Sequence, residues 1–210
     1  MNVTDVSIIA GGWSVANVDL AAVPGTIIAV NDAAIRTRCH IALSMDRLWT
    51  EYRWPQVHVG LRVGNIQQAW IRRAAAKNID RTHSKLKLFE CEHKSSIFSN
   101  VHGQLNGTNS GMCAFNLAFL YKPERIWLFG FDMNRSPKGE AYWYSPYPWS
   151  HAKGATTGGK YNEWAKQFAA AANLCQIAGI KVFNVSPTSA IDVFPKIHPK
   201  DLPKAAEQAA

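Results

Sequence analysis

The chain has 210 residues, 47% hydrophobic and 18% charged, a composition that excludes wholesale disorder and fits one domain with a substantial core better than two. Its formal net charge is +8, with Lys and Arg spread from Arg36 to Lys94 rather than packed into one run. An anionic partner fits that balance, whether a nucleotide, a nucleic acid or an acidic sugar, and charge alone chooses neither among them nor against a merely basic, soluble surface.

The four cysteines show no CxxC spacing, and the seven histidines form no HExxH motif or Cys/His cluster, so no metal site is expected. There is no signal-like N-terminus and no apolar run approaching ~20 residues. The expectation is a reduced, cytoplasmic protein without a membrane span, and homo-oligomerisation stays open. Trp54, Trp143 and Trp149 sit among polar residues, which fits either a binding surface or partly buried packing tryptophans.

Val6 to Ala10 reads as a first strand stopped by Gly11 and Gly12. Ser14 to Pro24 is long enough for a short crossover helix, and Ile27 to Val30 is a second strand ending at Asn31 and Asp32. His40 to Ser44 makes a third strand, followed by Met45 and Asp46, and Val57 to Leu61 is a candidate fourth. Gln67 to Lys77 reads as a helix, Lys85 to Glu90 as a strand and Ser95 to Asn106 as loop. Met112, Phe115 and Phe119 recur at helical spacing up to Tyr121, Lys122-Pro123 ends that helix, and Ile126 to Phe131 is a buried strand leading to Asp132. Residues 133–159 form an aperiodic stretch rich in Pro, Gly, Ser, Tyr and Trp. A long amphipathic helix carrying Tyr161, Trp164, Phe168, Ala171, Cys175 and Ala178 stops at Gly179, a last strand runs from Ile180 to Val185, and residues 204–210 look like a frayed tail. The expected fold is a single Rossmann-like α/β domain over 1–203, its mostly parallel sheet flanked by helices on both faces and its long loop lying over the site.

The stretch 107–132 is the most informative. Gly107, Thr108, Asn109, Ser110 and Gly111 place hydroxyls, an amide and unhindered backbone N–H groups at a helix start, where unpaired donors and the dipole favour an anion such as phosphate. Asp132 closes the following strand at the sheet edge where open α/β folds bind ligands. The opening turn AGGWS is neither GxGxxG nor a Walker loop, so Gly11, Gly12 and Ser14 either admit a ligand to the backbone or make a plain tight turn. Asn31 offers a donor and an acceptor to a base or ribose, or merely caps a helix. His151, among tyrosines in the long loop, is the candidate general base, with an exposed loop histidine as the plainer reading.

In order and local motif the chain resembles the family 42 sialyltransferases and the related pterin pyrophosphokinase-like proteins of bacteria and phages. VSIIAGGWSV resembles that group's opening strand and glycine turn, IIAVNDA its second strand with a nucleotide-facing Asn, GTNSGMCAFNLAFLYKPERIWLFGFDM its helix start and following strand, and VFNVSPTSAI its closing strand and turn. The resemblance implies that Asn31, Ser110 and Gly111 hold the nucleotide of a donor near Asp132, that Tyr142 steadies the departing phosphate, and that His151 is the nearest match to the catalytic histidine. Asn134 stands where a second tyrosine is expected. A CMP-sugar-like donor and a hydroxyl acceptor follow, with no cofactor required. Two other readings stand beside this one. A pyrophosphokinase-like phosphoryl transferase would use ATP and Mg²⁺ held by Asp32, Asp46 and Asp132. A nucleic-acid-binding or DNA-modifying protein would use exposed Trp and Arg.

Overall fold

The computed structural model describes residues 3–92, 98–145, 147 and 158–203. Seven strands form one sheet: β1 (Asp5–Ile9), β2 (Thr26–Val30), β3 (Cys39–Ser44), β4 (Ile66–Arg72), β5 (Leu86–Phe89), β6 (Arg125–Phe129) and β7 (Lys181–Asn184). Three helices pack on it: α1 (Arg47–Val63), α2 (Ser110–Leu120) and α3 (Gly158–Ile177). The spatial order is β5-β4-β3-β2-β1-β6-β7, with every ladder parallel. The chain thus builds outward from β1 to one edge, then returns to lay β6 against the free side of β1. That reversal leaves a crevice at the carboxyl ends of β1 and β6, the place where doubly wound sheets bind ligands.

Strand alternation sorts side chains into two cores, one on each face of the sheet. Val6, Ile8, Ile28 and Leu128 pack with Met112 and Phe115 of α2 and with Phe168 and Cys175 of α3. Ile9, Ala29, Ala42 and Phe129 pack with Trp49, Trp54, Val57 and Leu61 of α1. Trp54 is therefore a packing residue, while its neighbours Tyr52, Pro55 and Gln56 are exposed. The expected single sheet with helices on both faces is the one observed. No described helix is long and apolar enough to cross a membrane.

Three local expectations are corrected. Val57 to Leu61 is no strand but the last third of α1, whose buried Trp49, Trp54, Val57 and Leu61 fall on one helical face. Pro55 inside that helix hides it, because a proline ordinarily ends a helix. Gln67 to Lys77 is not a helix but β4 followed by a short 3₁₀ turn, Arg73–Ala75. There Ala69 and Ile71 face one core and Trp70 the other, and ladders to β3 and β5 override the helical spacing of Trp70 and Ala74. The crossover between β1 and β2 is two 3₁₀ turns, Trp13–Asn17 and Leu20–Ala22, rather than an α-helix. The tail at 204–210 lies outside the described residues.

The β1–β6 ladder is locked at its start by an ion pair between a buried carboxylate and a half-buried guanidinium. Asp5 and Arg125 are register partners, and the guanidinium clamps the carboxylate through Nε at 2.7 Å and an Nη at 2.8 Å, while Trp127 Nε1 donates to the same carboxylate at 2.7 Å. Burial pushes the Asp5 pKa up, but the bonds from Arg125 and Trp127 outweigh it and hold it below the ordinary value. A carboxylate with a depressed folded pKa stabilises fully above its unfolded pKa, near ~3.9, and that contribution fades as pH falls through the folded value. Asp5→Asn is expected to lower stability by about 1–3 kcal/mol at neutral pH. Urea unfolding as a function of pH should also show the acid-side loss of stability below about pH 4 to be shallower in this variant than in the wild type.

Candidate functional site

A cavity of about 330 Å³ opens at the carboxyl ends of the central strands, within the range of small-molecule sites. Gly11 and Gly12 line it after β1, Asn31 after β2, Asp46 after β3 and Gly130 to Asn134 after β6. Thr108, Asn109, Ser110 and Gly111 form the wall made by the start of α2. Tyr142, Tyr144 and Tyr147 come from the long loop, and Lys160, Tyr161 and Trp164 from the first turns of α3.

The α2 start is built to present donors. Asn109 is extended and its Oδ1 accepts from Met112 N–H at 3.0 Å, capping the helix while leaving the N–H groups of Ser110 and Gly111 ahead of any intrahelical acceptor. No acidic residue occupies that first turn. The Ser110 hydroxyl is a strut: it accepts from Met45 N–H at 3.1 Å and donates to Asp46 Oδ2 at 3.2 Å, tying α2 to the end of β3. The Thr108 hydroxyl donates to Gln167 of α3.

Two residues lining the cavity, Asn31 and Met133, hold φ values of 52° and 51°, a region that non-glycine residues seldom adopt and that clusters at ligand sites. Asn31 Nδ2 donates to Asp46 Oδ2 at 2.9 Å, while its buried Oδ1 has no protein partner. The buried Nδ2 of Asn109 is likewise unpaired. One acceptor and one donor are thus orphaned on residues of this wall, each at a cost of about 1–3 kcal/mol when left unsatisfied.

Asp132 lines the cavity but its carboxylate is committed to the protein. It accepts from Ser14 N–H at 3.0 Å and from the Ser186 hydroxyl, and its backbone carbonyl accepts from Ala190 N–H at 2.8 Å. Gly12 is glycine because of it: a Cβ there would lie 2.2 Å from Asp132 Oδ2 and 2.3 Å from the Gly130 carbonyl. At Gly11 a Cβ would lie 2.6 Å from the Tyr144 hydroxyl. The opening glycines therefore make room chiefly for protein groups. Ser14 is buried, is not among the cavity-lining residues, and serves the site only through its N–H to Asp132.

The described part of the long loop is stapled to the glycine turn. Tyr142 bridges Gly12, Trp143 N–H donates to Gly11 at 3.3 Å, and Trp143 Nε1 donates to the Ala10 carbonyl at 3.1 Å. The Tyr142 ring stacks on Tyr144 at 5.4 Å, the Tyr144 and Tyr147 hydroxyls lie 2.9 Å apart, and Arg36 sits 5.2 Å over the Tyr144 ring. Burial pushes the Tyr144 and Tyr147 phenols far above their usual range, so both stay protonated at neutral pH and neither acts as a base. His151 lies outside the described residues. Asn134, at the place of the expected second tyrosine, accepts from Trp13 Nε1 at 3.1 Å and donates to the Thr188 carbonyl.

Of the three acids an ATP–Mg²⁺ site would require, Asp46 and Asp132 line the cavity and Asp32 does not. Asp32 is buried against Trp49 Nε1 and a bidentate Arg53, with Arg36 at 3.6 Å. Asp46 and Asp132 have the partners given above, and no group of three or more metal-ligating side chains occurs among the described residues. Of the residues expected from sequence, Gly11, Gly12, Asn31, Thr108, Asn109, Ser110, Gly111, Asp132 and Tyr142 meet at the one cavity. Tyr144, Tyr147, Lys160 and Trp164 were not expected there. The tyrosine-rich composition of 142–147 signals the first two, while in the sequence Trp164 belongs to a helical stripe and nothing singles out Lys160.

No protein-family model and no curated protein matches the chain. Solved structures do match its fold. The sialyltransferase CstII from Campylobacter jejuni in complex with the substrate analogue CMP-3FNeuAc superposes with a TM-score of 0.56 at 12% identity, covering 92% of this chain and 86% of that one. CST-II in complex with a trisaccharide acceptor and CMP gives 0.58 at 15% identity, with coverage of 92% and 86%. The monofunctional α-2,3-sialyltransferase Cst-I from Campylobacter jejuni gives 0.58 at 11% identity, with coverage of 96% and 82%. The chain thus has the fold of these sialyltransferases.

The contact between Gly12 and Asp132 makes a direct demand. Gly12→Ala should lower stability by about 1–3 kcal/mol in equilibrium urea unfolding, because the new methyl must displace the Asp132 carboxylate or the Gly130 carbonyl.

Proposed function

We propose that the protein is a transferase acting on a nucleotide-activated sugar, with a CMP-like donor and a hydroxyl acceptor. The observation that carries this reading is the α2 start. Open N–H groups and a helix dipole without first-turn acids face a cavity at the β1/β6 crevice that Asn31 and Asn109, each carrying a buried polar atom without a partner, also line. The shared fold supports it, since the matching structures include CstII with CMP and with a CMP-sugar analogue.

In the proposed reaction an acceptor oxygen attacks the sugar carbon bearing the nucleotide. The bond from that carbon to the phosphate oxygen breaks, its electron pair stays on the phosphate, and the acceptor proton passes to a general base. N–H groups at the α2 start stabilise the charge that grows on the leaving phosphate, a role in which preorganised donors are effective. Tyr142 stands at the cavity to donate to the same group, and Asn31 faces the base or ribose. His151 is the proposed base. The pyrophosphokinase-like alternative lacks its third acid, since Asp32 is held by Trp49 and Arg53 away from the cavity that Asp46 and Asp132 line, and nothing in the site favours a nucleic-acid strand over a small ligand.

A thermal-shift series with CMP, CDP, UDP, GDP and ATP tests the donor. CMP is expected to raise the melting temperature most, with a stabilisation of about 2.7 kcal/mol at a hundredfold excess over Kd. Asn109→Asp separates folding from binding. It keeps a side-chain oxygen cap and suits the helix dipole, so the free protein should melt at or above the wild-type temperature, while a carboxylate on the cavity wall should abolish the CMP shift. An unchanged CMP shift in that variant would place the nucleotide elsewhere.

A further inference from the structure

Lys160, an exposed residue, is the one cationic side chain among the described residues that line the cavity. It is the third residue of α3, in the first turn, where the helix dipole is positive and a lysine is disfavoured. No acidic residue occupies that turn to compensate it. Its ammonium makes no ion pair with a described carboxylate. The two acids lining the same cavity are engaged elsewhere: Asp132 by Ser14 and Ser186, and Asp46 by Asn31 and Ser110. The ammonium instead lies 5.2 Å from the centroid of the Trp164 ring, one helical turn on, and Trp164 in turn meets Tyr161 edge-on at 6.1 Å. A lysine held over an aromatic face keeps its charge and loses part of its rotational freedom, as a preorganised anion ligand should. Lysine against the dipole at a helix start breaks a local rule, and such departures concentrate at functional sites.

We propose that Lys160 binds the phosphate of the nucleotide, an inference that rests on the nucleotide-donor reading above. The α2 N–H groups and Lys160 line the same cavity, and a phosphate monoester has three terminal oxygens, enough to take both at once. Lys160 thereby supplies the full positive charge that the α2 start, with only backbone donors and a dipole, does not.

Isothermal titration of CMP into the wild type, Lys160→Met and Lys160→Arg tests this, since the only anionic group of CMP is its phosphate. Methionine preserves an unbranched stem over Trp164 and removes the charge. The expected results are an affinity about five- to tenfold weaker for K160M, near-wild-type affinity for K160R, and a wild-type-to-K160M gap that closes as salt rises from about 50 to about 500 mM. Free K160M should melt at or above the wild-type temperature, because a charge opposed to the helix dipole has been removed. Equal CMP affinity in the wild type and K160M overturns the assignment of Lys160 alone. So does a loss that is shared by K160R or insensitive to salt, which would mark a packing role. Failure of the wild type to bind CMP overturns the nucleotide reading and the Lys160 assignment together.

Discussion

The site depends on one buried carboxylate. Asp132, at the end of the β6 segment, takes the Ser14 N–H from the turn after β1 and the Ser186 hydroxyl from the turn after β7, while its own carbonyl takes the Ala190 N–H. Three connections that leave the sheet separately are thereby fixed to one another, and Gly12 must lack a side chain to allow it. The glycine turn so fixed is the surface to which Tyr142 and Trp143 attach, so the described part of the covering loop inherits its position from the same carboxylate. An acid that looked like a ligand group at the sheet edge is the fastener that gives the cavity its shape.

Both helices that open onto the cavity, α2 and α3, lack acids in their first turns, and the two acids lining the wall, Asp46 and Asp132, accept hydrogen bonds from protein donors. A buried donor on Asn109 and a buried acceptor on Asn31 remain unpaired. Asn31, which lines the cavity, also holds a φ of 52°, and strain of that kind persists where the surroundings impose it. At 11–15% identity what is shared with the sialyltransferase structures is the fold. What the pocket binds is decided by side chains the fold does not dictate.

Much of this was legible in the sequence where local chemistry and tertiary context agree. Short β-branched runs ending in Gly, Asn or Asp marked β1, β2, β3 and β6 and put their polar residues on one edge, and the polar run at 107–111 marked the anion-facing helix start. Legibility failed where they disagree. Pro55 lies inside α1 and hid a 17-residue helix behind an apparent strand. β4 carries a helical spacing that two flanking ladders overrule. The role of Asp132 depends on Ser14 and Ser186, 118 and 54 residues away, and such long-range pairing has no local signature. Lys160 was invisible for the opposite reason, since a single lysine early in an amphipathic helix looks like ordinary solvated charge until the cavity beside it is seen.

A nucleotide phosphate seated at the start of α2 in the β1/β6 crevice is the centre of the proposed function. A crystal structure of the protein with CMP measures this most directly. The phosphate oxygens are expected within about 3 Å of the Ser110 or Gly111 backbone nitrogen, with the nucleoside reaching the Asn31 amide. Density for CMP outside this cavity, or inside it with the phosphate turned away from the α2 start, would contradict the account.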